Sequence, residues 1–184
     1  TPKPSSAASD VYKRQALKSA RYAFRRHFFQ HAGFRYVVSD HQESRASNPY
    51  ETDSMVSQYL DFQYGPEYFG VANYAKVLVE IACGVTNQRQ RALDIGCATG
   101  RASFELARHF GQVVGMDYSA RFIDVALQLT SGEEFRYVTQ EEGELVEYRQ
   151  VQLKDIDLGT EQASRIQFVQ GDACNLKPQA EPFD

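Results

Sequence analysis

The stretch from Arg91 to Ala107, RALDIGCATGRASFELA, constrains what this chain can fold into more than any other part of it. A short apolar run, Ala92-Leu93-Asp94-Ile95, breaks into a loop of small residues, Gly96-Cys97-Ala98-Thr99-Gly100. A helical pattern follows, with Phe104, Ala107 and Arg108 at helical spacing, so the stretch reads as strand, tight turn, helix. With no Cβ at Gly96 and Gly100, and little at Ala98, a ligand can lie against the main chain at a helix N-terminus. An ordinary strand-to-helix turn that holds two glycines would show the same local pattern, and the surrounding sequence decides between them.

Composition narrows the function classes. In 184 residues, 42% hydrophobic and 24% charged content describes a globular chain able to bury one substantial core. A formal net charge of -4 argues against a nucleic-acid or membrane-surface role, which needs a concentrated basic face. Arg21, Arg25 and Arg26 with His27 form the one basic cluster and read as a solvated helix face. Three cysteines, Cys83, Cys97 and Cys174, are too few and too widely spaced for a zinc site or a disulfide framework. A cytoplasmic location is expected, with no bilayer-spanning run and no signal peptide at the start. Cys97, though in the loop, needs no reactive role, since a small side chain is tolerated beside a ligand.

In chain order, residues 1–15 have no periodic apolar face and are expected to be disordered. Within them SAASDVYKRQ is similar to translated sequencing-adapter remnants at the ends of fragmentary metagenomic reading frames, which removes the segment from fold reasoning. Residues 16–40 interleave aromatic and basic residues. Phe24, Phe28, Phe29 and Phe34 read there as core contacts of a larger domain. His27 and His31, four apart, would share a helix face, but without a third ligand they are read as structural. A polar linker spans residues 41–50, with a domain boundary near residue 48.

From residue 51 to 184 the pattern is that of a second domain. Thr52 can cap a helix that carries Met55, Tyr59 and Phe62 and ends at Gly65-Pro66. A second helix is predicted from Val71 to Ala82, with Val71, Tyr74, Ala75, Leu78, Ile81 and Ala82 inward. After the glycine loop come a helix from Arg101 to Phe110, a buried strand Val113–Met116 ending at Asp117, and a Ser119-capped helix, Ala120 to Leu129. Its inward face is Phe122, Ile123, Val125, Ala126 and Leu129. Residues 135–153 read as two alternating strands around a turn at Gly143, either a decorating hairpin or a substrate lid. Ile166–Gln170 is a third strand, and a fourth is expected to begin at Pro182-Phe183-Asp184. The alternation predicts an α/β fold with a parallel sheet, an inserted hairpin and an unpaired first-strand edge prone to aggregation.

Three carboxylates, Asp94, Asp117 and Asp172, then fall at the carboxyl edge of that sheet, where open α/β folds bind ligands. Asp117 stands at the usual distance beyond the loop for an acid that accepts both hydroxyls of an adenosine ribose. Ala98 occupies the second glycine position of the dinucleotide fingerprint, which disfavours a pyrophosphate cofactor. A pocket with Asp94 by the loop, Asp117 at the ribose and Asp172 by the base suits a cationic adenosine compound, and S-adenosylmethionine, with its sulfonium, is that compound.

LDIGCATG, VVGMD and FVQGDA resemble the first three cofactor motifs of class I S-adenosylmethionine-dependent methyltransferases. NPYETDSMVSQYLDFQYGPEYFGVANY, ALDIGCATGRASFELARHFGQVVGMDYSARFI, EEGELVEY and FVQGDACNLKP together look like the methyltransferase domain of the ovothiol synthase family. AFRRHFFQHAGFRYV is similar to the end of the sulfoxide synthase domain that precedes it there, a relative of formylglycine-generating enzymes.

The resemblance implies a Rossmann-like fold truncated after three parallel strands. It also implies N-methylation of the imidazole of 5-thiohistidine, downstream of an iron-dependent domain that joins cysteine to histidine. Iron is expected only upstream, with no metal on His27, His31 or His41, and contacts with that domain are expected. Carried over, Asp94, Gly96, Cys97, Ala98 and Gly100 form the methionine-end pocket, Asp117 and Tyr118 the ribose clamp, and Asp172 with Ala173 the adenine contacts. Tyr64, Tyr68 and Phe69 either cover the cofactor and substrate or pack in the core. No catalytic base is assigned, and His109 reads as a solvated residue. A nicotinamide-dependent oxidoreductase and a non-catalytic cofactor-binding module are the alternative functions.

Overall fold

In the computed structural model, which describes residues 48–142, 145–176 and 181–184, the described chain begins with a 3-10 turn, Pro49–Glu51. The Asn48 side chain caps it by accepting from Tyr50 N at 3.1 Å. The expectations for residues 1–40, for His41 and for the turn at Gly143 lie outside the described residues.

Helix α1, Asp53–Tyr64, starts where predicted, because Thr52 Oγ1 accepts from Met55 N at 3.3 Å. It stops at Gly65, since a residue before proline is pushed out of the helical region. Its fully buried residues are Val56, Ser57, Leu60 and Gln63, while Met55 and Tyr59 are partly buried against the core. Phe62 is 60% exposed and stacks on Tyr74 at 4.4 Å instead.

Helix α2, Tyr74–Val85, begins three residues later than predicted, because Asn73 caps it by accepting from Ala75 N. Ala75 and Val79 are buried, while Val71, Leu78 and Ile81 are exposed. Apolar residues occur nearly all round this helix, so periodicity alone did not single out the face that meets a neighbour.

Strand β1, Arg91–Ile95, runs one residue beyond Asp94 and leads through the glycine loop to α3, Arg101–Leu106, a shorter helix than predicted. Strand β2, Gln112–Asp117, is followed by α4, Ala120–Thr130. The Ser119 side chain caps α4 on Phe122 N at 3.2 Å, and all five predicted inward residues are buried. Strands β3, Phe135–Glu142, and β4, Leu145–Val151, pair antiparallel as the expected hairpin. A short helix α5, Thr160–Ala163, precedes β5, Ile166–Gln170.

The main sheet is parallel, in the order β1-β2-β5. Gly115, in the middle of β2, faces Phe168 across the sheet register, and a Cβ there would come within 2.7 Å of the Phe168 ring and of Ser103 Oγ. That glycine lets Phe168 pack edge-on to Phe104 at 5.6 Å, at the centre of the core.

The free edge of β1 differs from expectation at its start. Asp184 N donates to Arg91 O at 2.9 Å, and its carboxylate accepts from Gln90 N and Arg91 N at 2.6 and 3.0 Å. Residues 181–184 are not a strand, but they cover the first residue of that edge.

Candidate functional site

The glycine loop is held on three sides by named bonds. Gly96 N and Cys97 N both donate to Met116 O, at 2.7 and 3.0 Å, which anchors the loop to the end of β2. Ala98 N donates to Asp117 Oδ2 at 2.8 Å, while Ser119 N donates to Asp117 Oδ1 at the same distance. Asp117 therefore fixes the loop as well as facing the sheet edge. Each of its oxygens retains a second lone pair, since a carboxylate accepts about four hydrogen bonds. Gly96, Ala98 and Gly100 have φ of 77, 48 and 92, the left-handed region that shapes this loop.

From below, Gln63 of α1 clamps the same loop. This residue is 2% exposed. Its amide oxygen accepts from Thr99 Oγ1 at 2.6 Å, and its nitrogen donates to Cys97 O at 3.3 Å and to Tyr74 OH at 3.0 Å. Tyr64 adds a bond from its hydroxyl to Thr99 O at 2.8 Å. Sequence reasoning missed Gln63. Its one signal was a polar residue on the inward stripe of a helix, a buried amide that must find partners.

A cleft of about 300 Å³ opens at the carboxyl ends of the strands. It brings together Gly96, Ala98, Asp117, Tyr118, Asp172 and Ala173, six of the residues expected to bind cofactor. Ile95, Met116, Tyr50, Tyr59, Phe122 and Gly171 complete its walls and were not singled out as site residues. Asp94, Cys97 and Gly100 are not among the lining residues. Asp94 lies behind the loop, accepting from Ser103 Oγ at 2.7 Å. Asp172 Oδ1 accepts from Cys174 N at 2.8 Å, so this acid also caps the turn Ala173–Asn175.

The two glycines of the loop do different work. A Cβ at Gly96 would meet nothing within 4 Å, so the backbone there borders open cleft. A Cβ at Gly100 would lie 2.8 Å from Phe168 Cζ and 3.2 Å from the Ala126 side chain. Core packing explains Gly100, whereas Gly96 leaves open space beside the cleft.

Tyr64, Tyr68 and Phe69 do not line the cleft. Tyr64 sits under the loop, with burial raising its hydroxyl pKa well above the ordinary value. Tyr68 accepts from Arg149 of the hairpin at 3.2 Å, beside the ion pair of Arg149 with Asp61 at 2.5 Å. Phe69 is 102% exposed, with φ of 56.

Burial pushes the Cys97 thiol up, with Asp94 and Asp117 adding to the effect, so it stays protonated and unreactive. The Asp94 carboxyl is also raised from 3.8, first by burial and less by Asp117, while hydrogen bonds from Ser103 oppose the rise. An acid raised in the folded state binds its proton more tightly there than when unfolded. Stability from this group is therefore greatest at low pH and falls as pH rises from 3.8 through the folded value. Asp94→Asn should flatten that fall, and chemical denaturation at several pH values between 4 and 7 checks it. Equal slopes in both proteins would count against the effect.

Among the described residues no group of three or more His, Cys, Asp or Glu is placed to hold a metal ion, and all three cysteines are free. No helix among them is long and apolar enough to cross a membrane.

A parallel sheet crossed by helices, with a cleft at its carboxyl edge walled by a glycine loop and an acid at the end of the second strand, is a Rossmann-like α/β arrangement. Residues 86–161 match the family described as a methyltransferase domain, a range that takes in the loop, Asp117 and the whole hairpin. Among solved structures, the YcgJ protein from Bacillus subtilis is 17% identical, with a TM-score of 0.40 over 61% of this chain and 36% of its own. A TehB-like SAM-dependent methyltransferase from Corynebacterium glutamicum is 16% identical, with a TM-score of 0.39 over 68% of this chain and 47% of its own. An O-methyltransferase from Bacillus cereus in complex with SAH is 18% identical, with a TM-score of 0.33 over 65% and 50%. The chain thus spans half or less of the length of each of these proteins. No curated protein matches it.

Proposed function

We propose that this chain is the cofactor-binding part of an S-adenosylmethionine-dependent N-methyltransferase that acts on the imidazole of 5-thiohistidine in ovothiol biosynthesis. The observation that carries the cofactor half is the match of residues 86–161 to a methyltransferase domain, coinciding with the cleft around Gly96 and Asp117. The substrate half, with its attached sulfoxide synthase domain, is supported by the likeness of the sequence segments to ovothiol synthases.

The residues present fit such a cofactor. Gly96 leaves open space for close approach, and Asp117 keeps a free lone pair on each oxygen for a vicinal diol. Tyr50, Tyr59 and Phe122 give the cleft an aromatic wall, which favours both an adenine ring and a sulfonium charge. When bound, the cofactor supplies an electrophilic methyl group on a cationic sulfur. The protein's task is to hold that methyl in line with a ring nitrogen, and alignment of this kind contributes about 7–11 kcal/mol to such reactions. Imidazole, with a reference pKa of about 6.5, presents a free lone pair near neutral pH without a protein base.

The test is two-layered. Calorimetric titration of the chain with S-adenosylhomocysteine should give saturable binding that Asp117→Asn weakens about tenfold. Asparagine is the milder substitution, because its single amide oxygen still accepts from one of Ala98 N and Ser119 N, whereas alanine releases both. Incubation with S-adenosylmethionine and 5-thiohistidine, followed by mass spectrometry, asks for a one-methyl gain. Binding without that gain, in a protein that includes the complete domain, would leave the cofactor and remove the substrate. No binding, or binding of NADH instead, would remove the cofactor.

A further inference from the structure

The segment before α1 reads in sequence as linker, yet residues 48–53 are fastened to the rim of the cleft. The Glu51 carboxylate accepts from Ala120 N at 2.9 Å and Arg121 N at 3.3 Å, the first two amides of α4. Helix N-termini leave such amides without intrahelical partners, so a carboxylate there is favoured both by hydrogen bonding and by the helix dipole. Arg121 closes the loop in return, donating to Glu51 O at 3.1 Å and pairing with Asp53. Ser119, whose amide holds Asp117, donates its hydroxyl to Tyr50 O at 3.0 Å.

These bonds fix one side chain in particular. Tyr50, 43% exposed, stands in the cleft wall with Asp117. It meets Tyr59 at 6.0 Å and Phe122 at 6.1 Å, both close to edge-on, which braces the ring from two sides while leaving part of it on the cleft. Tyr59 feels the same enclosure, with its pKa raised by burial and then by Tyr50. An aromatic ring on a polar chain segment is not held against a carboxylate-bearing cleft by hydrophobic burial alone. The Glu51 and Arg121 pairing supplies the hold.

We propose that residues 48–53 form a latch in which Glu51 is the positioning residue and Tyr50 is the cover over the nucleoside part of the bound cofactor. The proposal rests on the cofactor reading above. Tyr50 adds stacking area for a flat base or the face of a ribose. Glu51 keeps the ring in place before the ligand arrives, so that less order has to be imposed on binding.

The experiment is a double-mutant cycle on the full 184-residue chain, with S-adenosylhomocysteine as the probe in calorimetry and amide hydrogen exchange as the second readout. Tyr50→Ala should weaken binding about tenfold, from lost stacking. Glu51→Ala should weaken it by about fivefold and speed exchange of the Ala120 and Arg121 amides, and Glu51→Gln, which keeps an acceptor, should recover part of both effects. The double variant should bind no more weakly than Tyr50→Ala alone, because Glu51 acts through Tyr50. A purely structural capping role for Glu51 predicts additive losses, and that outcome would overturn the latch. Wild-type binding that Tyr50→Ala leaves unchanged would overturn it as well. If wild-type protein binds no S-adenosylhomocysteine, the cofactor reading falls and the latch falls with it, so the two failures are told apart by the unmutated chain.

Discussion

Gly100→Ala is expected to lower the stability of the fold by about 2–5 kcal/mol, combining left-handed backbone strain with overpacking. The first contribution comes from its φ of 92. The second comes from a Cβ 2.8 Å from Phe168 Cζ and 3.2 Å from the Ala126 side chain, neither of which can yield inside the packed core. For a chain of this length the melting temperature should drop on the order of 10 °C. Gly96→Ala carries comparable strain, with φ of 77, but meets nothing within 4 Å. It should therefore cost only about 1–2 kcal/mol of stability. Because its Cβ stands in open cleft, it should weaken S-adenosylhomocysteine binding about tenfold or more. Melting curves and titrations on the two variants separate the roles: similar melting temperatures would mean that Gly100 is not a packing residue.

Glu105→Ala is the second large effect, and it acts through an uncompensated charge. Arg101 and Glu105 are 6% and 5% exposed, and their side chains pair at 2.8 Å one helical turn apart. Glu105 also accepts from Arg108 Nε at 2.7 Å. Removing the carboxylate leaves the Arg101 guanidinium buried without its anion, and breaking a buried pair from one side costs about 3–5 kcal/mol. Arg101 lies 5.5 Å from the centre of the Tyr64 ring, whose hydroxyl holds Thr99 O, so the glycine loop should loosen too. Replacing both partners with leucine should recover most of the loss, because no buried charge then remains. Urea denaturation of the single and double variants decides this. A double variant as unstable as Glu105→Ala would show that packing, not charge, is what the pair provides.

The parts of this architecture legible in the sequence share one property, a pattern that admits a single physical reading. In α4 the polar Arg121, Asp124 and Gln128 interrupt the apolar residues at helical intervals, so only one face could be buried, and Ser119 marked the start. The strands β1 and β2 carry short apolar runs, Ala92-Leu93 and Val113-Val114, and β5 carries Ile166, Phe168 and Val169; each is closed by glycine or aspartate, which fits strands of a parallel sheet. In α2 apolar residues surround most of the helix, and the neighbour it met, not its periodicity, chose Ala75 and Val79 over Leu78 and Ile81.

The amino-acid sequence by itself determined the element order, the parallel sheet and the gathering of Gly96, Asp117 and Asp172 at its carboxyl edge, because these follow from local spacing and from strand direction. Only the tertiary structure decided that Gln63 clamps the loop, that Gly100 makes room for Phe168, and that Glu51 binds the first amides of α4 with Tyr50 in the cleft wall. Each of these joins residues far apart in the chain. Such contacts arise from shape and hydrogen-bond satisfaction between whole elements; the local sequence shows at most that a buried amide such as Gln63 needs partners, not which ones it meets.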